Sequence, residues 1–168
     1  SEMCIRDSNN SAFGYKALFA NTTGIHNTAV GHASLSANTI GERNTAVGYA
    51  SLNVNTTGSY NSAFGYRALT ANTTGNANSA FGNYALINNV VGINNTSVGY
   101  LALYSNTTSN SSAFGYKSLY TNTIGGFNSA FGNYALKYNT TGINNTAMGR
   151  SALGTNTIGA NNSAFGIY

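Results

Sequence analysis

The sequence has no proline or tryptophan, a single cysteine, and little charge: only 6% of its 168 residues are Asp, Glu, Lys or Arg, against about 25% in typical soluble domains. Seven basic and three acidic residues give a net charge of +4. They are scattered without any run of like charge, whereas a nucleic-acid footprint needs Lys and Arg clustered on one face. No stretch approaches the ~20 apolar residues of a membrane span, and no charged segment followed by an apolar one marks a signal peptide. The chain reads as an internal fragment. What is present is Asn, Thr, Ser, Gly and Ala, together with 12 Tyr and 8 Phe and regularly placed Leu, Val and Ile. Disordered segments lack such aromatic and aliphatic residues, so this chain has something to bury.

Residues 1–8, Ser1-Glu2-Met3-Cys4-Ile5-Arg6-Asp7-Ser8, share no pattern with the rest of the chain and hold the one cysteine. The octapeptide resembles the in-frame translation of a transposase mosaic-end adapter used in sequencing-library preparation. The resemblance implies a non-native leader, to be set aside from fold reasoning. Residues 9–168 are then one tandem array, broken off within its last copy, with Glu42 as its one acid and Lys16, Arg43, Arg67, Lys117, Lys137 and Arg150 as its bases.

The array repeats every 17 residues. With Asn as position 1, the unit is N-[ST]-A-[FV]-G-Y-x-[AS]-L-x-x-N-T-[TI]-G-x-x, as in Asn44 to Tyr60 and Asn61 to Ala77. The position-5 glycines, Gly14, Gly31, Gly48, Gly65, Gly82, Gly99, Gly115, Gly132, Gly149 and Gly166, are 17 apart except for one interval of 16, from Gly99 to Gly115. The missing residue is expected in the turn at Ser109-Asn110-Ser111, where its loss leaves strand register intact.

Agreement among copies within one chain shows that each position has one environment. Position 9 is Leu throughout: Leu18, Leu35, Leu52, Leu69, Leu86, Leu103, Leu119, Leu136 and Leu153. Position 4 is Phe13, Val30, Val47, Phe64, Phe81, Val98, Phe114, Phe131, Met148 and Phe165. These two columns are the expected core. Ala at position 3 and Ala or Ser at position 8 mark close approach of a neighbouring backbone. Asn at position 12, in Asn21, Asn38, Asn55, Asn72, Asn89, Asn106, Asn122, Asn139 and Asn156, is expected to form a side-chain amide ladder at the ~4.8 Å strand spacing. Glycine at positions 5 and 15 is expected to supply turns with φ > 0.

Helical repeats have longer periods and 3.6-residue patterning, neither of which occurs here. The expected fold is all-β, a parallel β-solenoid (β-roll or β-helix) with one coil per 17-residue unit. Each coil has a contour of about 56 Å, arranged as two short strands and tight turns, and about nine and a half coils stack into a rod of roughly 45 Å.

The segments Asn-Thr-Ala-Val-Gly at 27–31 and 44–48, and Asn-Ser-Ala-Phe-Gly at 61–65, 78–82 and 128–132, resemble the S-V-A-I-G signature of trimeric autotransporter adhesin heads. The adjoining Ala-Leu-x-x-Asn-Thr-Thr-Gly is similar to that family's connecting segment, and the whole style also resembles repeats of phage tail-fibre proteins. Over Asn10 to Tyr168 the resemblance implies a left-handed roll, a homotrimer, and adhesion at a bacterial cell surface or on a phage virion, hence an extracellular location.

Catalysis needs convergent titratable groups, and the array offers only Glu42, His26 and His32. No enzyme, metal site or cofactor is expected, because two imidazoles are too few for a closed metal centre and the glycines form no phosphate-binding motif. Asn-Thr-Thr triplets such as 55–57 match the glycosylation sequon, but their recurrence points to the internal ladder. The candidate partner surface is the position-6 column Tyr15, Tyr49, Tyr66, Tyr100 and Tyr116, whose rings suit a host surface glycan or protein or the contact between copies. The expected function is a non-catalytic structural or adhesive fibre segment that self-associates. The alternatives are a matrix filament stacked end to end through unpaired coil edges, and an ice-binding surface, which the adjacent threonines and the Ile40, Val91, Ile124 and Ile158 interruptions disfavour.

Overall fold

The structure is a computed structural model and describes residues 9–168; the leader, with Cys4, lies outside them. Every Ser/Thr-Ala-Phe/Val segment is a three-residue strand: β1 (Ser11–Phe13), β2 (Thr28–Val30), β3 (Thr45–Val47), β4 (Ser62–Phe64), β5 (Ser79–Phe81), β6 (Thr96–Val98), β7 (Ser112–Phe114), β8 (Ser129–Phe131), β9 (Thr146–Met148) and β10 (Ser163–Phe165). They form one ten-stranded parallel sheet in chain order. Like positions pair with like, as in Ala46 with Ala63 and Val47 with Phe64. The chain is an all-β parallel solenoid with a 17-residue coil.

Each coil has one strand, not the two expected. Opposite the sheet the chain makes two tight turns: the Ala85 amide donates to the Gly82 carbonyl at 3.2 Å, and the Asn72 amide to the Leu69 carbonyl at 3.3 Å. The backbone is left-handed at positions 7, 9 and 17, as at Arg67 (φ 53°), Leu69 (φ 52°) and Ala77 (φ 56°), and left-handed residues break an extended run. They still bond coil to coil: the Leu69 amide donates to the Ala85 carbonyl at 3.0 Å and the Arg67 amide to the Tyr49 carbonyl at 2.9 Å. Among the described residues no Val, Ile or Thr takes a left-handed position. Branching at Cβ is poorly tolerated there, which is why position 9 is Leu and never Ile.

The interior is thin. Ala at position 3, Ala or Ser at position 8 and Leu at position 9 are buried in the central coils, alongside Asn at positions 1 and 12. Position 4 lies outside this core, contrary to expectation. Its strand neighbour Ala63 is fully buried while Phe64 is 36% exposed, and Phe81, Val30, Phe131 and Met148 are exposed likewise. Alternation along a strand sends positions 3 and 4 to opposite faces, and only the small residue fits between the coil's two sides. Ser97, which replaces Ala at position 3, is satisfied inside because its hydroxyl donates to the Ala102 carbonyl at 2.8 Å.

The two glycine columns differ in their reason. Gly65 at position 5 has φ +136°, and a Cβ there would meet the Gly82 backbone at 2.7 Å. Position 15, expected to have φ > 0, does not. A Cβ on Gly58 would instead lie 2.4 Å from Asn55 Oδ1 and 2.5 Å from the Gly75 carbonyl oxygen, so glycine is needed there for space alone.

The shortened coil keeps its register, with Val98 paired to Phe114, but the deletion is not where it was expected. Ser109 and Asn110 keep the roles of positions 16 and 17: Ser109 Oγ accepts the Ile93 amide at 3.0 Å and Asn110 has φ 62°. The Thr108 carbonyl accepts Asn95 Nδ2 at 2.7 Å, a bond the position-15 glycine accepts elsewhere. The residue is therefore lost from the Asn-Thr-Thr corner.

Candidate functional site

Two ranks of asparagine run inside the rod. At position 12 most amides commit both hydrogens: Asn55 Nδ2 donates to Asn38 Oδ1 at 2.8 Å and to the Gly58 carbonyl at 2.9 Å, and Asn72 Nδ2 donates to Asn55 Oδ1 at 2.8 Å. The same side-chain bond joins Asn38 to Asn21, Asn89 to Asn72, Asn122 to Asn106, Asn139 to Asn122 and Asn156 to Asn139. The ladder expected at position 12 is present, and its buried, fully bonded amides leave no room for glycans. A second rank, at position 1, was missed although Asn recurs there almost as regularly. Asn44 Oδ1 accepts the Asn61 amide at 2.9 Å while Asn44 Nδ2 donates to the Gly58 carbonyl at 2.8 Å. Position-13 threonines are also tied coil to coil, as where Thr39 Oγ1 donates to the Thr56 carbonyl at 3.0 Å.

With the interior so committed, chemistry available to a partner lies on the outside. The outer face of the sheet carries positions 2 and 4, whose residues covary: Ser accompanies Phe, as in Ser62 and Phe64, and Thr accompanies the smaller Val or Met, as in Thr45 and Val47. The half-exposed apolar stripe thus holds its bulk from coil to coil. Phe64 stacks on Phe81 at 5.0 Å and Phe114 on Phe131 at 4.8 Å.

Around the Gly corner lies an aromatic rank. Tyr15, His32, Tyr49 and Tyr66 stack with centroids 5.1 Å apart. Asn83 and Asn133 interrupt position 6, but the neighbouring Tyr84 and Tyr134 at position 7 step into the gaps, giving edge-on contacts of 5.3 Å to Tyr66 and 5.2 Å to Tyr116. Tyr84 reaches Tyr100 at 6.2 Å, and Tyr100 stacks on Tyr116 at 5.8 Å. The rank therefore continues over more coils than the position-6 tyrosines alone indicate. Tyr15, Tyr49, Tyr66, Tyr100 and Tyr116 are all exposed, at 36–63%.

The same flank gathers the cations. Lys16, Arg67 and Lys117 stand at position 7, Lys137 at position 10 and Arg150 at position 6. Lys117 Nζ lies 5.3 Å from the centre of the Tyr116 ring and 5.5 Å from that of Tyr120. Lys137 Nζ sits 4.3 Å over the Tyr138 ring and bonds its hydroxyl at 2.7 Å. Interaction with the Tyr116 hydroxyl is the main cause holding the Lys117 ammonium above its ordinary range, opposed by desolvation and reinforced by the charge interactions of Tyr116, Tyr120 and Tyr134. The remaining base, Arg43, is at position 17, away from this flank, bonded to Glu42 at 3.2 Å and to the Tyr60 hydroxyl at 2.6 Å. Bases that look scattered along the sequence are thus gathered in space.

The two histidines fall on different corners, His32 within the aromatic stack and His26 beside Asn9 Nδ2 at 3.3 Å. Among the described residues no three His, Cys, Asp or Glu side chains gather as a metal site, and no helix is long and apolar enough to cross a membrane. A cavity of about 620 Å³ over the last coils is walled partly by Leu153 and Ala164, core positions only partly covered there. In comparisons with known proteins, no family model matches this chain, and neither a curated protein nor a solved structure matches it.

Proposed function

We propose that this chain is a non-catalytic segment of an extracellular fibre, the kind of rod found in a surface adhesin head or a phage tail-fibre shaft, and that copies associate side by side, as a homotrimer, through the outer face of the sheet. The observation that carries this reading is the apolar stripe from Phe13 to Phe165, exposed at most coils and half-buried at Val47, Val98 and Phe114. Apolar patches of this continuity mark sites of protein association, and the paired exchange of Ser-Phe for Thr-Val keeps the stripe's bulk even, as packing against a second regular surface requires. The interior supports a stiff spacer: each coil is bonded to the next through backbone and side-chain ranks on every side.

Ice binding is weakened further, since position-13 hydroxyls such as Thr39 Oγ1 already donate to the next coil. The test of the assembly is sedimentation and light scattering of the intact chain. A stable oligomer is expected, and replacing Phe64 and Phe81 by Lys should release folded monomers. A parent chain that remains a folded monomer at high concentration would defeat the proposal.

A further inference from the structure

We infer that the flank formed by positions 6, 7 and 10 binds a linear acidic polysaccharide laid along the rod. This deepens the adhesive reading by naming its ligand class, and it uses a surface separate from the sheet face assigned to assembly. Five of the array's six basic residues, Lys16, Arg67, Lys117, Lys137 and Arg150, share this flank, and the one acid, Glu42, is held by Arg43 away from it. The flank is therefore uniformly positive in a chain with few charges of any kind. Such a field draws in and orients an extended anion.

Charge spacing and ring geometry decide which polyanion. The five cations span coils one to nine. That averages one per roughly 10 Å at the ~4.8 Å coil rise, with wider gaps from Lys16 to Arg67 to Lys117 and a cation in each coil from Lys117 to Arg150. It is far sparser than the charge of duplex DNA, one per ~1.7 Å of axis. A glycan with a carboxylate on alternate sugars matches the sparse spacing better. Binding single-stranded nucleic acid relies on free aromatic faces for base stacking. Here the faces of His32, Tyr49 and Tyr66 cover one another at 5.1 Å, with planes only 10° apart. What this part of the rank offers outward is ring edges and phenolic hydroxyls, which donate to and accept from the hydroxyls of a sugar chain.

The test uses the intact chain over immobilised hyaluronan, which has a carboxylate on alternate sugars, with neutral dextran and oligo(dT) as comparison ligands. Hyaluronan should be retained and released by salt, dextran should not bind, and oligo(dT) should bind at least about tenfold more weakly. Replacing Lys16, Arg67, Lys117, Lys137 and Arg150 by Gln should cost at least about tenfold in affinity, while Arg43→Gln leaves it unchanged. Should the fivefold variant lose its circular dichroism signature, the pair Lys16→Gln and Arg67→Gln is read instead, with a severalfold loss expected. Replacing Tyr49 and Tyr66 by Phe keeps the stack and should weaken binding by removing hydroxyls.

Failure of hyaluronan to bind, equal loss in Arg43→Gln, or tighter binding of oligo(dT) would each overturn the inference. Sedimentation of the same samples separates the two claims. An oligomer that ignores hyaluronan refutes the ligand and keeps the fibre, and a monomer that binds it does the reverse.

Discussion

Asn95 Oδ1 accepts the Ser111 amide at 3.0 Å, and there the position-1 rank stops, because Ser111 has no side-chain amide with which to serve the next coil. Ser111 Oγ is the one buried side-chain polar atom among the described residues without a partner. The position-12 rank breaks in the same coil, where Asn106 Nδ2 keeps the usual bond to the turn carbonyl, here that of Thr108 at 2.9 Å, but no bond links it to Asn89. Restoring Asn at 111 supplies an oxygen for the Asn128 amide and a donor toward the Gly125 carbonyl. Ser111→Asn is expected to stabilise the rod by about 1–2 kcal/mol. Hydrogen exchange should show slower opening in the coils around Ser111, and unchanged or faster exchange there would count against the account. Because coils in a stacked array contact mainly their neighbours, the effect should fade with distance from Ser111.

The left-handed Leu column predicts an inverted order of substitutions. In most cores Leu→Ile is a mild, volume-conserving exchange costing under about 1.5 kcal/mol. At Leu69, with φ 52°, the branched Cβ meets the carbonyl crowding that disfavours this region. Leu69→Ile should cost more than about 2 kcal/mol, and Leu69→Met, unbranched and similar in volume, clearly less. Urea unfolding of the two variants checks the order, and equal losses would show that volume alone governs the site.

Much of this was legible because the repeat presents each environment many times over. Leu69 and Asn55 recur in every complete copy, so burial and a ladder followed from the sequence. Phe64 was misplaced because hydrophobicity points inward, whereas a coil this thin admits Ala63 and turns Phe64 out. The absence of Ile from position 9 was a visible trace of left-handed backbone, and Asn61 at position 1 recurs as Asn55 does. Neither signal was weak; both needed the question of which residues never appear, or which other column repeats. The clustering of cations could not be read along the chain, since Lys16, Arg67 and Lys137 are far apart until the coils stack.

The space-limited glycines separate crowding from conformation. Gly→Ala at an ordinary φ usually stabilises by about 0.4–1 kcal/mol through the unfolded state. Gly58 has no left-handed φ, yet its added Cβ would fall within 2.5 Å of Asn55 Oδ1 and the Gly75 carbonyl oxygen. Gly58→Ala should therefore destabilise the chain, and resistance to proteolysis should drop. Gly126→Ala is the milder counterpart, because its Cβ would meet nothing nearer than the Ser109 carbonyl oxygen at 3.3 Å, a tight contact that a shift of a few tenths of an ångström relieves. It should cost clearly less than Gly58→Ala. A harmless Gly58→Ala would mean that the coils can part by several tenths of an ångström without loss.

Replacing one ladder amide by a carboxyl group converts the hydrogen-bond argument into a pH dependence. Asn72 donates to Asn55 Oδ1 at 2.8 Å and to the Gly75 carbonyl at 3.0 Å, and accepts from Asn89 at 3.2 Å. An ionised Asp at this buried position can accept but cannot donate, and it faces two oxygens, so both burial and these neighbours favour its protonated form. Its folded-state pKa must then lie above the unfolded value of about 3.9. A group shifted upward contributes its full share below the unfolded pKa and loses it as the pH rises through the folded one. Asn72→Asp should thus be least damaging in acid and progressively less stable toward neutral pH, while Asn72→Ala shows no such slope relative to the parent chain. Thermal unfolding of both variants across that range reads the difference. A flat Asn72→Asp profile would mean that the carboxylate reaches water and that the position-12 rank opens at little cost.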